Sequence, residues 1–449
     1  MERHELVIVG GSAAGIQAAI CVQKHHGLTD ILVIRCEEKV LVPCGIPYIY
    51  GTLGTVEKNI IPDKLLGKTQ LKIGEVVSVR REAKTVTLGD GQIIGYNKLI
   101  LATGSLPIQP PIPGVEKKNV YLVKKDADYL RKLGTAMDSA KHILIIGGGF
   151  IGVEFADECR KRDLEVTIVE LLEKCLQLVC TEDLCIRMED VLKRNGINVI
   201  TGNAVKSLGG NDKVEFAELD NGQKIECDIV IVGIGVFPNT KLAAESGIEI
   251  GITRGIKVDE FQRTTAPDIF AVGDCAEKYS FFNGQPVNTR LASIATREGK
   301  IAAANLYTPK WRNVGTIGVF STVVGDMAVT MAGLSDVQAI KLGYDIVVGE
   351  AESASKHPGT MPDSKPMKVK LAFDRRSGKL IGGCACCTMA VGEIGNLIAA
   401  CIVSGMTMEQ VAMFPMGTHP WLTASPLAYQ LTDAASNALH KANNSIWHS

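Results

Sequence analysis

The feature that most constrains this chain is a unit that occurs twice: a short apolar strand, a glycine turn, and a helix opening on small residues. The first copy begins the chain as "HELVIVGGSAAGIQAAICVQKHH", and the second is "KHILIIGGGFIGVEFADECRKRDLEVTIVE". Apolar strands bounded by glycine, each feeding a helix, argue for parallel sheets covered by helices. In such a unit the first glycine permits a tight turn, and the last lets the helix pack closely on its strand. The helix N-terminus then presents unpaired N–H groups and the positive end of a dipole to a pyrophosphate. The first turn reads Gly10-x-Ser12-x-x-Gly15, with serine at the middle glycine position, and the second reads Gly147-x-Gly149-x-x-Gly152. Two nucleotide-binding units are therefore expected, and the 46 glycines cluster beside apolar runs as such turns require.

The residue ending the second strand of each unit bears on which nucleotide is held. Glu170 closes "VTIVE" about twenty residues past the second turn, where a carboxylate bonds a ribose 2′-hydroxyl and repels a 2′-phosphate. NADH is therefore expected in preference to NADPH. In the first unit the matching stretch is "VIRCEEK", where Arg35 stands at the acid's usual place and Glu37 and Glu38 lie just beyond. The ribose partner there is open among these three, with Glu37 taken as a cofactor-binding candidate.

At 449 residues the chain is too long for one compact core. A Pro-rich crossing, "KLILATGSLPIQPPIPGV", marks a boundary near residue 115, and "CDIVIVGIGV", with Gly235, closes the second unit. The expected fold is α/β: two Rossmann-like domains, one formed by 1–115 with 240–315 and the other by 116–239, followed by an α+β domain over 316–449. With 48 basic and 49 acidic residues there is no electrostatic case for nucleic acid or a membrane surface. No apolar run has bilayer length, and "MERHELVIVGG" enters a strand directly, so a cytoplasmic protein is expected. Thirteen cysteines without regular spacing suit a reducing compartment. "CLQLVCTEDLC" and "GGCACC" lack paired C-x-x-C spacing and lie on apolar segments, so they are expected to pack in the core and to hold no metal.

Four motifs in order carry a resemblance: the first cradle, Thr103-Gly104 in "LILATGSLP", the second cradle, and Gly273-Asp274 in "TTAPDIFAVGDCAE". Together they resemble the two-dinucleotide-domain flavoprotein oxidoreductases of the glutathione-reductase type. The resemblance implies FAD on Gly10, Ser12, Gly15, Glu37, Thr103 and Gly104, with Gly273 and Asp274 at the ribityl chain. It implies NADH on Gly147, Gly149, Gly152 and Glu170, with Phe150 and Glu154 lining the nicotinamide pocket and Gly235 nearby. Ala292, opening "ASIATREG", would face the flavin pyrimidine edge, and 316–449 would form a dimerisation domain.

Residues 41–48, "LVPCGIPY", set a lone Cys44 between two prolines with no second cysteine at C-x-x-C or C-x-x-x-x-C spacing. This stretch resembles that of the single-cysteine branch, which includes coenzyme A-disulfide reductases, NADH oxidases and peroxidases, and persulfide or polysulfide reductases. Pro47 is expected to open a helix, which would put Cys44 near a helix N-terminus, a setting that lowers thiol pKa. The implied cycle passes two electrons from NADH through FAD to a sulfur species on Cys44: a mixed disulfide, persulfide or sulfenic acid. The substrate class is a small-molecule persulfide, polysulfide or coenzyme A disulfide. Lys24 and His25, at the end of the first cradle helix, are candidates for coenzyme A phosphates. The stretches that carry partner tyrosines in coenzyme A-disulfide reductases carry His357 and His419 instead. His419 is the candidate proton donor to the partner subunit's thiol in a homodimer whose site the partner's C-terminal domain completes. The alternatives are an NADH oxidase or peroxidase and, in a different class, an electron-transfer reductase for a small redox protein.

Overall fold

The computed structural model describes residues 1–387 and 391–444. They form two compact units: residues 1–141, 210–215 and 228–316 in the first, and residues 142–209, 216–227 and 317 onward in the second. The two strand–turn–helix repeats therefore fall in different units, and the second shares its unit with the C-terminal region.

In the first unit, one sheet carries the first cradle. Its order is Gln70–Ile73, Ile31–Arg35, Glu2–Val9, Ile93–Leu101, Thr85–Leu88 and Val76–Arg80, with Ile269–Ala271 also paired to Ile93–Leu101. Glu2–Val9 runs parallel to both of its neighbours, placing its C-terminal end, where the turn begins, beside the end of Ile93–Leu101. Both faces of these strands are covered, which explains their continuous apolar runs. Leu6, Val7, Ile8, Ile31, Val33 and Ile100 are fully buried, each worth about 1.5–3 kcal/mol against exposure. By contrast, Val76–Arg80 and Thr85–Leu88 form the antiparallel hairpin that their alternation predicts. Helices Ala13–His26 and Ala292–Ala304 pack together at Gly299, where an added Cβ would lie 2.6 Å from the Ala14 carbonyl oxygen. Val120–Leu122 and Ile229–Val232 form a parallel pair in the same unit.

In the second unit, His142–Ile146, Glu165–Val169 and Ile197–Ile200 are parallel, and the first leads through the second glycine turn into helix Phe150–Arg160. The C-terminal sheet is antiparallel in the order Val319–Val324, Met327–Gly333, Leu380–Cys387, Pro366–Asp374, Ile346–Ala354. Helix Gln430–Asn444 lies directly on its last strand, where a Cβ on Gly349 would meet the Ala434 carbonyl oxygen at 1.8 Å. The α/β class and the α+β C-terminal region thus match the expectation. Among the described residues, no helix is long and apolar enough to cross a membrane.

Candidate active site: two cradles and the Cys44 turn

The two glycine turns are built alike. Gly10 sits at φ +110 and Gly147 at φ +104, a region that side chains disfavour. A Cβ on Gly15 would lie 2.0 Å from the Gly10 carbonyl oxygen, and one on Gly152 would lie 1.9 Å from that of Gly147. Each helix therefore begins as close to its turn as backbone permits. Ser12 is the residue before helix Ala13–His26, and its hydroxyl makes no capping bond to that helix. Gly149 holds the same position before Phe150–Arg160, is exposed, and has open space where a Cβ would stand. The first N–H groups of a helix have no partner within it, and those at these two starts suit the pyrophosphates of FAD and NADH.

The acids differ. Glu170 accepts hydrogen bonds from the N–H groups of Gly148 at 2.5 Å and Leu172 at 2.8 Å, so its carboxylate is fixed against the turn. At the corresponding place in the first unit, a Cβ on Gly11 would meet the Arg35 side chain at 2.7 Å. Arg35 is only 2% exposed. Its guanidinium pairs with Asp63 at 2.7 Å and donates to the carbonyls of Glu37 and Glu38, each at 2.8 Å. Arg35 thus shapes the loop that carries the exposed side chains of Glu37 and Glu38.

Thr103 and Gly104 form a turn tied to Asn239: Thr103 Oγ1 donates to the Asn239 carbonyl at 2.6 Å, and Asn239 N–H returns to Gly104 at 2.9 Å. Gly104 has φ +71, and Gly235, at φ +105, accepts from the Ile108 N–H. Asp274 accepts from Ser105 Oγ at 2.7 Å and lies 3.5 Å from Lys125 Nζ. Gly273 beside it donates its N–H to Glu298 at 2.8 Å. Lys278, also buried, bridges Glu298 and the Gly273 carbonyl. Burial pushes the Glu298 carboxyl up despite the lysine. Ala292 is the first residue of helix Ala292–Ala304. The first unit therefore gathers Gly10, Thr103, Asp274 and Ala292 on one framework, with Ser105, Lys125, Lys278 and Glu298 as supports that were not among the candidate site residues.

Cys44 is exposed and makes no disulfide. Pro47 does open a helix, but only a single 3₁₀ turn, Pro47–Ile49, and Cys44 lies inside a separate preceding 3₁₀ turn, Pro43–Gly45. Prolines at 43 and 47 remove two N–H donors, and bonds three residues back run from Gly45 to Val42, Ile46 to Pro43, Ile49 to Ile46 and Tyr50 to Pro47. Asn59 braces the turn. Its side chain, 3% exposed, donates to the Val42 carbonyl at 3.0 Å, and a Cβ on Gly45 would lie 2.0 Å from its Oδ1. Cys36 also makes no disulfide, and burial of its sulfur together with Glu37 and Glu75 pushes its thiol up.

Lys24 and His25 are exposed, and His25 stands edge-on to Trp311 at 4.9 Å. Gln23 beside them is committed to the fold, donating to the Leu66 carbonyl and Thr69 Oγ1, each at 2.8 Å. His419 is exposed in the C-terminal loop, and its Nδ1 accepts the Trp421 N–H at 3.3 Å, which places the neutral ring's proton on Nε2. His357 joins the same loop through the Thr423 carbonyl at 3.0 Å. Phe150 stacks on Phe320 with centroids 5.3 Å apart, and Glu154 accepts from Thr322 at 2.8 Å. Cys175 and Cys384 are buried, and burial pushes each thiol up to about 12. Among the described residues, no group of three or more His, Cys, Asp or Glu is placed to hold a metal.

Residues 4–299 match the pyridine nucleotide-disulphide oxidoreductase family model, and residues 319–427 match that family's dimerisation domain. The chain belongs to the pyridine nucleotide-disulphide oxidoreductase family. It is a flavoprotein oxidoreductase of the kind that uses FAD and NAD(P)H, and its dimerisation domain points to a homodimer. It is 28% identical to an NADH oxidase of Methanocaldococcus jannaschii, over 98% of this chain and 99% of that protein. It is 30% identical to a CoA-dependent NAD(P)H sulfur oxidoreductase of Pyrococcus abyssi, over 85% of this chain and 86% of that protein. Among solved structures, the NAD-dependent persulfide reductase of A. fulgidus superposes with a TM-score of 0.91 at 27% identity, covering 98% of this chain and 84% of that one.

Proposed function

We propose that the chain is a homodimeric enzyme that uses NADH to reduce sulfur–sulfur bonds through Cys44, its acceptors being persulfides, polysulfides or coenzyme A-linked disulfides. The observation that carries this reading is the lone exposed Cys44, held in a 3₁₀ turn between two prolines and braced by Asn59. Relatives that act on sulfur substrates support the acceptor class. FAD, when bound, supplies the two-electron chemistry that connects NADH with a thiol. Gly10, Ser12, Gly15 and Glu37 hold its nucleotide end, Thr103, Gly104 and Asp274 its chain, and Ala292 opens the helix toward its ring. Gly147, Gly149, Gly152 and Glu170 hold NADH, with Phe150 and Glu154 at the nicotinamide and Gly235 beside it. The domains are then 1–115 with 240–315 for FAD, 116–239 for NADH, and 316–449 for dimerisation.

The Cys44 thiolate attacks the substrate's sulfur–sulfur bond, forming Cys44–S–S–R and releasing the second sulfur as hydrosulfide or thiolate. Two electrons and one proton then cleave the mixed disulfide to R–SH and the thiolate. His419 of the partner subunit supplies that proton as an imidazolium, protonated on both ring nitrogens, and the neutral ring left behind takes up a proton from solvent. Lys24 and His25 receive coenzyme A phosphates, where a coenzyme A substrate is used. A cytoplasmic location fits a mechanism that keeps its thiols reduced, and the cysteines form no disulfide among the described residues.

A second reading, an NADH oxidase or peroxidase, is favoured by the M. jannaschii relative's name. In it Cys44 cycles through sulfenic acid. The test is anaerobic NADH consumption with persulfide, polysulfide, coenzyme A disulfide and peroxide, repeated in air, for the natural chain and Cys44→Ser. Sulfur-dependent turnover that collapses in Cys44→Ser is expected. Full turnover by the serine variant would favour an electron-transfer reductase for a small redox protein, and turnover only with peroxide or oxygen would favour the second reading.

A further inference from the structure

Helix Phe150–Arg160 carries Phe150, Glu154 and Asp157 at i, i+4 and i+7, one stripe along one face. All three meet a single strand and its turn in the C-terminal sheet. Phe150 stacks on Phe320 at an interplanar angle of 22°. Thr322 Oγ1, on a residue only 6% exposed, donates to Glu154 Oε1 at 2.8 Å. Asp157 Oδ1 accepts the Gly325 N–H at 2.9 Å. Packing alone would be served by apolar residues at 154 and 157. Two carboxylates met by directed donors instead fix where the helix face points, because a hydrogen bond to an ionised acceptor is short and directional.

We infer that strand Val319–Val324 positions the nicotinamide-side face of this helix, with Thr322 setting the Glu154 carboxylate and Phe320 setting the Phe150 ring. The inference rests on the reading that Phe150 and Glu154 line the nicotinamide pocket. Nucleotide recognition is thereby divided: Gly147, Gly152 and Glu170 grip the adenosine diphosphate part, while orientation of the nicotinamide end depends on a strand of the dimerisation domain. Thr322 and Phe320 are positioning residues, acting through Glu154 and Phe150.

The test compares NAD⁺ with ADP-ribose, which lacks nicotinamide, by calorimetric binding to the flavin-loaded dimer. Thr322→Val keeps the side chain's shape and removes its donor. It is expected to weaken NAD⁺ on the order of tenfold, with ADP-ribose unchanged within about twofold. Thr322→Ser should restore NAD⁺ binding. Equal weakening of both ligands would overturn the inference, because it would mean a general lesion of the unit. If Glu154→Gln weakens NAD⁺ but Thr322→Val does not, the positioning role fails and the reading of Glu154 stands. If neither variant changes NAD⁺ binding, that reading falls together with the inference.

Discussion

The buried pair under the Gly273–Asp274 turn allows a quantitative prediction. Glu298 is fully buried and accepts from the Gly273 N–H at 2.8 Å and Lys278 Nζ at 2.9 Å, while its Oε1 has no hydrogen-bond partner among the described residues. Lys278 is 3% exposed and donates also to the carbonyls of Gly273 and Ala276. Removing one partner of such a pair costs about 3–5 kcal/mol, because the other charge remains in low dielectric. Glu298→Ala should reach that range, since Lys278 is left charged and the Gly273 N–H loses its acceptor. Lys278→Met should cost less under acidic conditions, because burial already pushes the Glu298 carboxyl up and it can take a proton. With the folded pKa above the unfolded one, the native state binds more protons between the two values. Stability contributed by this group is then present below the ordinary glutamate range and lost as pH rises through the folded value. In Lys278→Met the loss should be larger, since the lysine no longer opposes the shift. Urea unfolding of the flavin-loaded protein at about pH 5 and about pH 8 reads this directly. Flavin release should track it, because the same carboxylate holds the turn that carries Asp274. A Lys278→Met variant equally destabilised at both pH values, or Glu298→Ala within about 1 kcal/mol of the natural chain, would refute the reasoning.

Other substitutions separate the two cradles. Gly15→Ala should lose FAD, seen as missing flavin absorbance after gel filtration, whereas Gly152→Ala should keep its flavin and lose NADH binding. A Gly15→Ala protein with full flavin would contradict the close approach of Gly15 to Gly10. Glu170→Ala removes the acceptor of two N–H groups and the charge that repels a 2′-phosphate, so the NADH-over-NADPH ratio of kcat/KM should fall by about tenfold or more. An unchanged ratio would detach Glu170 from the ribose. Because the Cys36 thiol is pushed up, it holds less thiolate at neutral pH than an ordinary cysteine. Limited alkylation followed by peptide mapping should mark Cys44 before Cys36, and the reverse order would contradict the assignment of the reactive thiol.

The cradles were legible because their requirement is local: Gly15 and Gly152 must lack a Cβ to approach a carbonyl five residues earlier. The role of Arg35 was not, because its guanidinium is fixed by Asp63, beyond any local pattern. The turn at Cys44 was readable from its prolines, but not its 3₁₀ geometry, since both helix types accept proline at their start. Asn59, which braces that turn, ends a separate 3₁₀ turn, Val56–Asn59, and carries no motif. The same holds for Thr322, whose partner Glu154 lies in the other half of the sequence. Lys278 and Glu298 were hidden for a further reason, because charged residues are ordinarily read as surface and here both are buried.

The central claim is that Cys44 takes a sulfur from the substrate. Intact-protein mass spectrometry under anaerobic conditions tests it directly, with a persulfide or coenzyme A disulfide added in the absence of NADH. The account predicts one covalent sulfur adduct, mapped to Cys44, discharged on adding NADH and absent from Cys44→Ser. Steady NADH-dependent reduction of the same substrate with no adduct on Cys44 would contradict it.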